Sequence, residues 1–224
     1  FPLSAPGGHS GGERLARHAT GLALLALGDA SAARRHHILA MRDGEALAGG
    51  AAAASLPFVQ SSLHLGLVEF ATGDGRAGKV RIERLLQAFD AAPTAAAPSA
   101  KPAPALELAE LMIRFARAHG WVPGGDQFAA ALMDAAGPLL RRVSGERFAA
   151  HMAEHGMLLS RACPEQAPRA SELLERAIAL QEKHGLPWAG EELSALHSAT
   201  GMLHSRAGRA AEAVLAFQRA AEHA

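Results

Sequence analysis

The sequence predicts an all-α fold, an array of helix-turn-helix hairpins stacked as an α-α superhelix, on three observations. Four glycines, Gly21, Gly66, Gly156 and Gly201, stand on one lattice (66 − 21 = 45, 156 − 66 = 2 × 45, 201 − 156 = 45), and the point between them falls on Leu111. A fixed period of this size is the signature of stacked repeats. The 224-residue chain is 49% hydrophobic but only 4% aromatic, with no Tyr, so its core is built from Ala, Leu and Met. Ala, Leu, Glu and Arg lose little rotamer freedom in a helix. Val and Ile are sparse and no run alternates polar and apolar, so no strand is expected.

The elements follow in order. The opening FPLSAPGGHSGG, residues 1–12, reads as linker or tag remnant and lacks the basic and apolar regions of a signal peptide. Leu15, Ala19, Leu22 and Leu25 carry helical spacing over Glu13–Leu27, and Gly28-Asp29 breaks it. Ser31 is the expected cap of a helix over Ala32–Arg42. A Gly/Ala-rich connector, Gly44–Ser55, leads to Leu56–Thr72. Gly73-Asp74-Gly75 then breaks the pattern, and Arg76–Asp90 is the partner helix, with Val80, Ile82, Leu85 and Phe89 near one face. The stretch AAPTAAAPSAKPAPA, residues 91–105, contains Pro93, Pro98, Pro102 and Pro104. It reads as an extended spacer between repeats over 13–90 and repeats over 106–224. Helices over Leu106–His119 and Gln127–Arg142 flank the turn GWVPGGD. A further helix runs from Ser144 or Gly145 to about Ala162. Pro164 and Pro168 mark a longer turn before a helix that starts near Ser171 and ends before His184-Gly185. Glu191–Arg206 and Arg209 onward form the last pair, hinged at Gly208. The expectation is ten helices in five hairpins.

Within the last hairpin, Gly201, Gly208, Ala213, Phe217 and Ala220 are spaced as in the tetratricopeptide repeat (TPR), which this segment resembles. The first hairpin repeats the spacing with Gly21, Gly28, Ala33, His37 and Ala40, with His where the family carries an aromatic. The second does so with Gly66, Gly73, Gly78, Ile82 and Leu85. The fourth keeps Gly156 but has Cys163 at the turn and needs two extra residues to place Ala170, Leu174 and Ala177, and the third keeps only Leu111 and Ala118. The family's unit is shorter, so a 45-residue period resembles the long repeats of kinesin light chains and of the sensor regions of large bacterial transcription activators. The resemblance implies close helix approach at the small residues, with the aromatic position plugging the space above.

It also implies that the first helix of each hairpin lines a concave binding groove. Mapped onto this chain, the groove residues are His18, Gln60, His64, Phe70, Met112 and Phe115, then Glu154, Met157 and Arg161, then Met202, Ser205 and Arg206. The near-identical strings GMLLSRA and GMLHSRA place a Met, a Ser and an Arg at equivalent points. Met adapts to varied apolar ligands, and Arg offers bidentate bonds to a carboxylate. A helical solenoid suits an extended peptide or a helix. The expected function is therefore non-catalytic binding of a protein or peptide segment. The alternative is a ligand-sensing regulatory domain of a larger bacterial transcription or signalling protein, responding to a small-molecule effector.

Other chemistries find little footing. Lys and Arg number 22, as do Asp and Glu, so neither nucleic acid nor an anionic membrane is an expected partner. GxSxG, GxGxxG and phosphate-loop motifs are missing, which leaves no catalytic assignment and no cofactor. Among twelve histidines, His151 and His155 share a helix face and His36-His37 are adjacent. A metal site needs three or four converging ligands, so packed or solvated histidines are expected and no metal. Cys163 stands alone, so no intrachain disulfide forms. An inert thiol and a cytoplasmic location are expected. Val214, Leu215 and Phe217 on the last helix suggest self-association as a homodimer.

Overall fold

The computed structural model describes residues 11–48, 56–91, 104–184 and 190–224. Among the described residues it is all helical, with ten α-helices and no strand. They are α1 (Gly11–Ala26), α2 (Ala30–Ala48), α3 (Leu56–Ala71), α4 (Gly75–Ala91), α5 (Pro104–His119), α6 (Gly125–Val143), α7 (Gly145–Ala162), α8 (Ala167–His184), α9 (Gly190–Arg206) and α10 (Ala210–Glu222). A 3₁₀ turn over Pro164–Gln166 joins α7 to α8. The all-α class is as the sequence predicts. The expected spacer lies mostly outside the described residues, as does most of the expected N-terminal linker, although Gly11 and Gly12 belong to α1.

The chain divides into two compact units. The first comprises Phe1–Pro104 with Leu111–Ala135, and the second Ala105–Glu110 with Ala136–Ala224. In the first unit, α1 packs on α2, α2 on α3 and α3 on α4. Its fully buried side chains include Leu25, Leu63, Leu67, Met112, Phe128 and Leu132. In the second, α7 pairs with α8 and α9 with α10, and its fully buried side chains include Leu108, Leu140, Leu159 and Leu174. Fully burying such a side chain contributes about 1.5–3 kcal/mol.

The hairpin turns explain two Gly-Asp couplets set on the lattice. Gly28 and Gly73 have φ of 86° and 83°, a region that costs a side-chain-bearing residue strain. The Asp29 amide donates to the Leu24 carbonyl, and the Asp74 amide to the Glu69 carbonyl, closing a Schellman motif at each helix end. The same aspartates then cap the next helix. Asp29 accepts from the Ala32 amide at 2.8 Å, and Asp74 from the Ala77 amide at 3.1 Å. Ser31 is not the cap. α2 starts one residue before it, and its hydroxyl accepts from Arg35. Ser144 does cap α7, accepting from the Arg147 amide.

Candidate functional site

The lattice glycines set how close the helices come. A Cβ on Gly21 would lie 2.5 Å from the His37 ring, and on Gly156 it would lie 2.7 Å from Leu174. On Gly201 it would lie 2.9 Å from Phe217. In these three hairpins the plug is the residue that the repeat pattern puts there. The second hairpin differs. A Cβ on Gly66 would lie 2.8 Å from the ring of Phe128 in α6, while Phe70 of α3 covers Gly78.

His37 over Gly21 is one member of a histidine cluster inside the first unit. His18 comes from α1, His37 from α2 and His64 from α3, with 4%, 0% and 8% of their surface exposed. The His18 and His64 rings stack at 4.1 Å, and those of His37 and His64 at 4.9 Å. One ring nitrogen of each lies within 4.8 Å of one from each of the others. Phe115 and His119 of α5 stand edge-on to His64, at 4.8 and 5.4 Å.

Hydrogen bonds decide which nitrogens carry protons. The Ser61 hydroxyl donates to the Pro57 carbonyl at 2.9 Å, so its oxygen accepts from Nε2 of His18 at 3.1 Å. Nδ1 of His18 therefore holds a lone pair, and it faces Nδ1 of His37 at 3.1 Å. Nδ1 of His64 donates to the Gln60 carbonyl at 2.7 Å, which leaves the lone pair on its Nε2. Nε2 of His37 is buried with no hydrogen-bond partner.

Burial keeps the rings neutral. It pushes His18 down to about 4, with the Arg14 guanidinium adding to the effect. Burial, then the neighbouring His18, His36 and His119, takes His37 down to about 3. His64 is lowered well below its usual value by burial and by His18 and His37, against the opposing Gln60 carbonyl.

The second unit presents a different surface. The last turns of α7 and α9 carry Met157 and Arg161, then Met202, Ser205 and Arg206. Met202 is 49% exposed, and Arg161, Ser205 and Arg206 are exposed. Nη1 of Arg206 donates to the Ser160 carbonyl of α7 at 3.4 Å, which brings the two helix ends together. Nε of Arg161 donates to the Met157 carbonyl at 3.2 Å.

The residues expected to line one groove thus occupy two environments. His18, His64, Phe70, Met112 and Phe115 are buried in the interior of the first unit, with Gln60 half-buried beside them and bonded to Arg14 at 2.9 Å. In the second unit Glu154 and Met157 are half-buried and the other four are exposed. His151 and His155 are buried rather than solvated, and Cys163 is buried at the end of α7. The histidine trio escapes a reading of the sequence because its members lie far apart in the chain. A signal is there: His37 stands at the plug position, while His18 and His64 stand at adjacent inward positions of successive first helices.

Among the described residues no helix is long and apolar enough to cross a membrane. No family profile matches the chain, and no curated protein matches it. Solved structures do. The nearly identical TPR-like repeats of a protein described as a kinesin light chain from Podosopora anserina align with 15% identity and a TM-score of 0.53. That match covers 93% of each chain. A point variant of the same protein aligns with 15% identity and a TM-score of 0.53, over 96% of this chain and 97% of that one. MamA aligns more loosely, with 17% identity and a TM-score of 0.41 over 94% and 95% of the two chains. The fold is that of a TPR-like helical repeat protein, as the glycine lattice and its plugs imply.

Proposed function

We propose that the chain is a non-catalytic binding domain whose ligand is a protein or peptide segment lying across the ends of α7 and α9. The observation behind this reading is the paired exposure of Met202 with the guanidiniums of Arg161 and Arg206. Each guanidinium directs one of its five donors to a backbone carbonyl, and both arginines are exposed, as is Met202. That chemistry suits a segment with an apolar side chain flanked by carboxylates. Burial of His18, His64, Phe70, Met112 and Phe115 directs the reading to the second unit.

The test is selection from a phage-displayed random peptide library, followed by fluorescence anisotropy on the selected peptides. Binding is expected to weaken about tenfold or more in the R161E/R206E double variant with its helical circular dichroism unchanged, since charge-assisted bonds are lost. Selection of no peptide, or equal binding by the variant, overturns the reading.

A small-molecule effector is the second reading. It is favoured by a cleft of about 280 Å³ bounded by α8, α9 and α10, lined by Glu175, His197, His204 and Arg219 among others. A thermal shift with metabolites but not with peptides would select it. Self-association is proposed for the face of α10 that exposes Val214, Leu215 and Phe217. A clean monomer in light scattering at high concentration removes that proposal.

A further inference from the structure

We propose that His18, His37 and His64 are the protein ligands of a divalent first-row transition-metal ion, held inside the first unit between α1, α2 and α3. Three buried imidazoles from three helices bring one ring nitrogen each within 4.8 Å of the others. Tetrahedral coordination with metal–nitrogen bonds of about 2.0–2.1 Å places ligand nitrogens about 3.3 Å apart. The His18–His37 pair already stands at 3.1 Å, so movement of the remaining ring closes the set.

The protonation pattern points the same way. Metal-bound imidazoles typically donate their other N–H to a fixed acceptor, which sets the tautomer. His18 donates through Nε2 to Ser61, itself fixed on the Pro57 carbonyl, and His64 donates through Nδ1 to the Gln60 carbonyl. Each keeps its opposite nitrogen as a lone pair. His37 departs from that pattern, with Nε2 buried and without an acceptor, while its Nδ1 faces the lone pair of His18. If His37 carries its proton on Nε2, two lone pairs meet at 3.1 Å, which a cation relieves. If it carries the proton on Nδ1, a buried acceptor is left over. Packing alone does not require three nitrogen donors to converge in an apolar interior.

An all-imidazole donor set selects zinc, copper, nickel or cobalt over magnesium and calcium, which prefer oxygen ligands. Three neutral ligands leave the ion's full charge, and Arg14 is the buried cation beside His18. The fourth position therefore goes to an anion such as hydroxide or chloride. His119 stands beside His64 but outside the trio, with Nδ1 donating to the Phe115 carbonyl at 2.9 Å.

The experiment uses the whole chain stripped with a chelator and titrated with Co²⁺, then with Zn²⁺ in competition. The expected result is one equivalent of Co²⁺ giving the visible bands of tetrahedral coordination without thiolate charge transfer, displaced by Zn²⁺. A rise in melting temperature with Zn²⁺ but not Mg²⁺ should accompany it. The variants H18Q and H64Q should each weaken Co²⁺ binding about a hundredfold or more, while H155Q leaves it unchanged. The Co²⁺ spectrum of the unsubstituted chain keeps the test decisive if a variant fails to fold. Absence of those bands, a thiolate band from Cys163, or equal weakening by H155Q overturns the proposal. Peptide binding is read separately, so either result leaves the proposed function to its own test.

Discussion

Gly21 and Gly201 hold the same place in the first and last hairpins, yet they sit under different lids. Above Gly21 the His37 ring is fully buried and surrounded by His18 and His64. Above Gly201 the Phe217 ring is 42% exposed. One repeat signature therefore serves two kinds of packing. The first unit turns its first helices inward and fills the space with rings, while the second leaves the equivalent helix ends open, with Met202 and two arginines at the surface. A repeat pattern specifies the spacing between the helices of a hairpin. What packs against each first helix depends on the side chains that helix supplies.

Substitution at the two glycines separates the lids most sharply. Gly21→Ala drives a methyl into a ring that cannot move, and should cost about 3 kcal/mol, the upper end for overpacking. Gly201→Ala meets a ring that can swing toward solvent, and should cost about 1 kcal/mol. Urea denaturation of both variants measures the gap, and equal costs would show that the two lids are equally rigid.

Acid should act next most strongly. Burial, then His151 and Arg169, pushes His155 down to about 3 from 6.5. In the window between those values the unfolded chain binds a proton that the folded chain does not, so stability rises with pH and is lost on acidification. From pH 7 to pH 5 this one group should remove about 2 kcal/mol. The urea midpoint of H155Q should fall less over that interval than that of the unsubstituted chain.

Removal of the turn cap comes third. Asp29→Ala leaves the Ala32 amide unsatisfied and should cost about 1 kcal/mol. The paired variant Asp74→Ala should cost a similar amount, since the two turns repeat one motif, and a large difference would mean the neighbouring helices compensate in one of them. The smallest effect on stability is expected at the open face. Met202→Ser should change the unfolding free energy by less than about 0.5 kcal/mol. A loss well beyond that would place Met202 in the core and remove it from the proposed binding surface.

Much of the fold is legible in the sequence because its determinants are local. Gly-Asp at 28–29 and 73–74 announces each turn, and the apolar spacing around it announces each helix. Ser31 has the chemistry of a cap for α2, but Asp29 takes that place because it serves as both the end of one helix motif and the start of the next. The second hairpin also departs from its own pattern. Ile82 occupies the expected plug position, yet Phe128 covers Gly66, because a ring from a later helix fills the gap that an aliphatic side chain leaves.

Class, period and turns are written in the chain itself, because a 45-residue lattice and helix-ending glycines act through near neighbours. Which inward residues meet one another is settled by three-dimensional packing alone. His18, His37 and His64 are separated by a helix and a connector at each step, and nothing in their local spacing encodes a nitrogen-to-nitrogen distance. The packing of α1, α2 and α3 sets that distance. Packing within each unit likewise closes the histidines and phenylalanines of the first into an interior and leaves the methionine and arginines of the second at the surface.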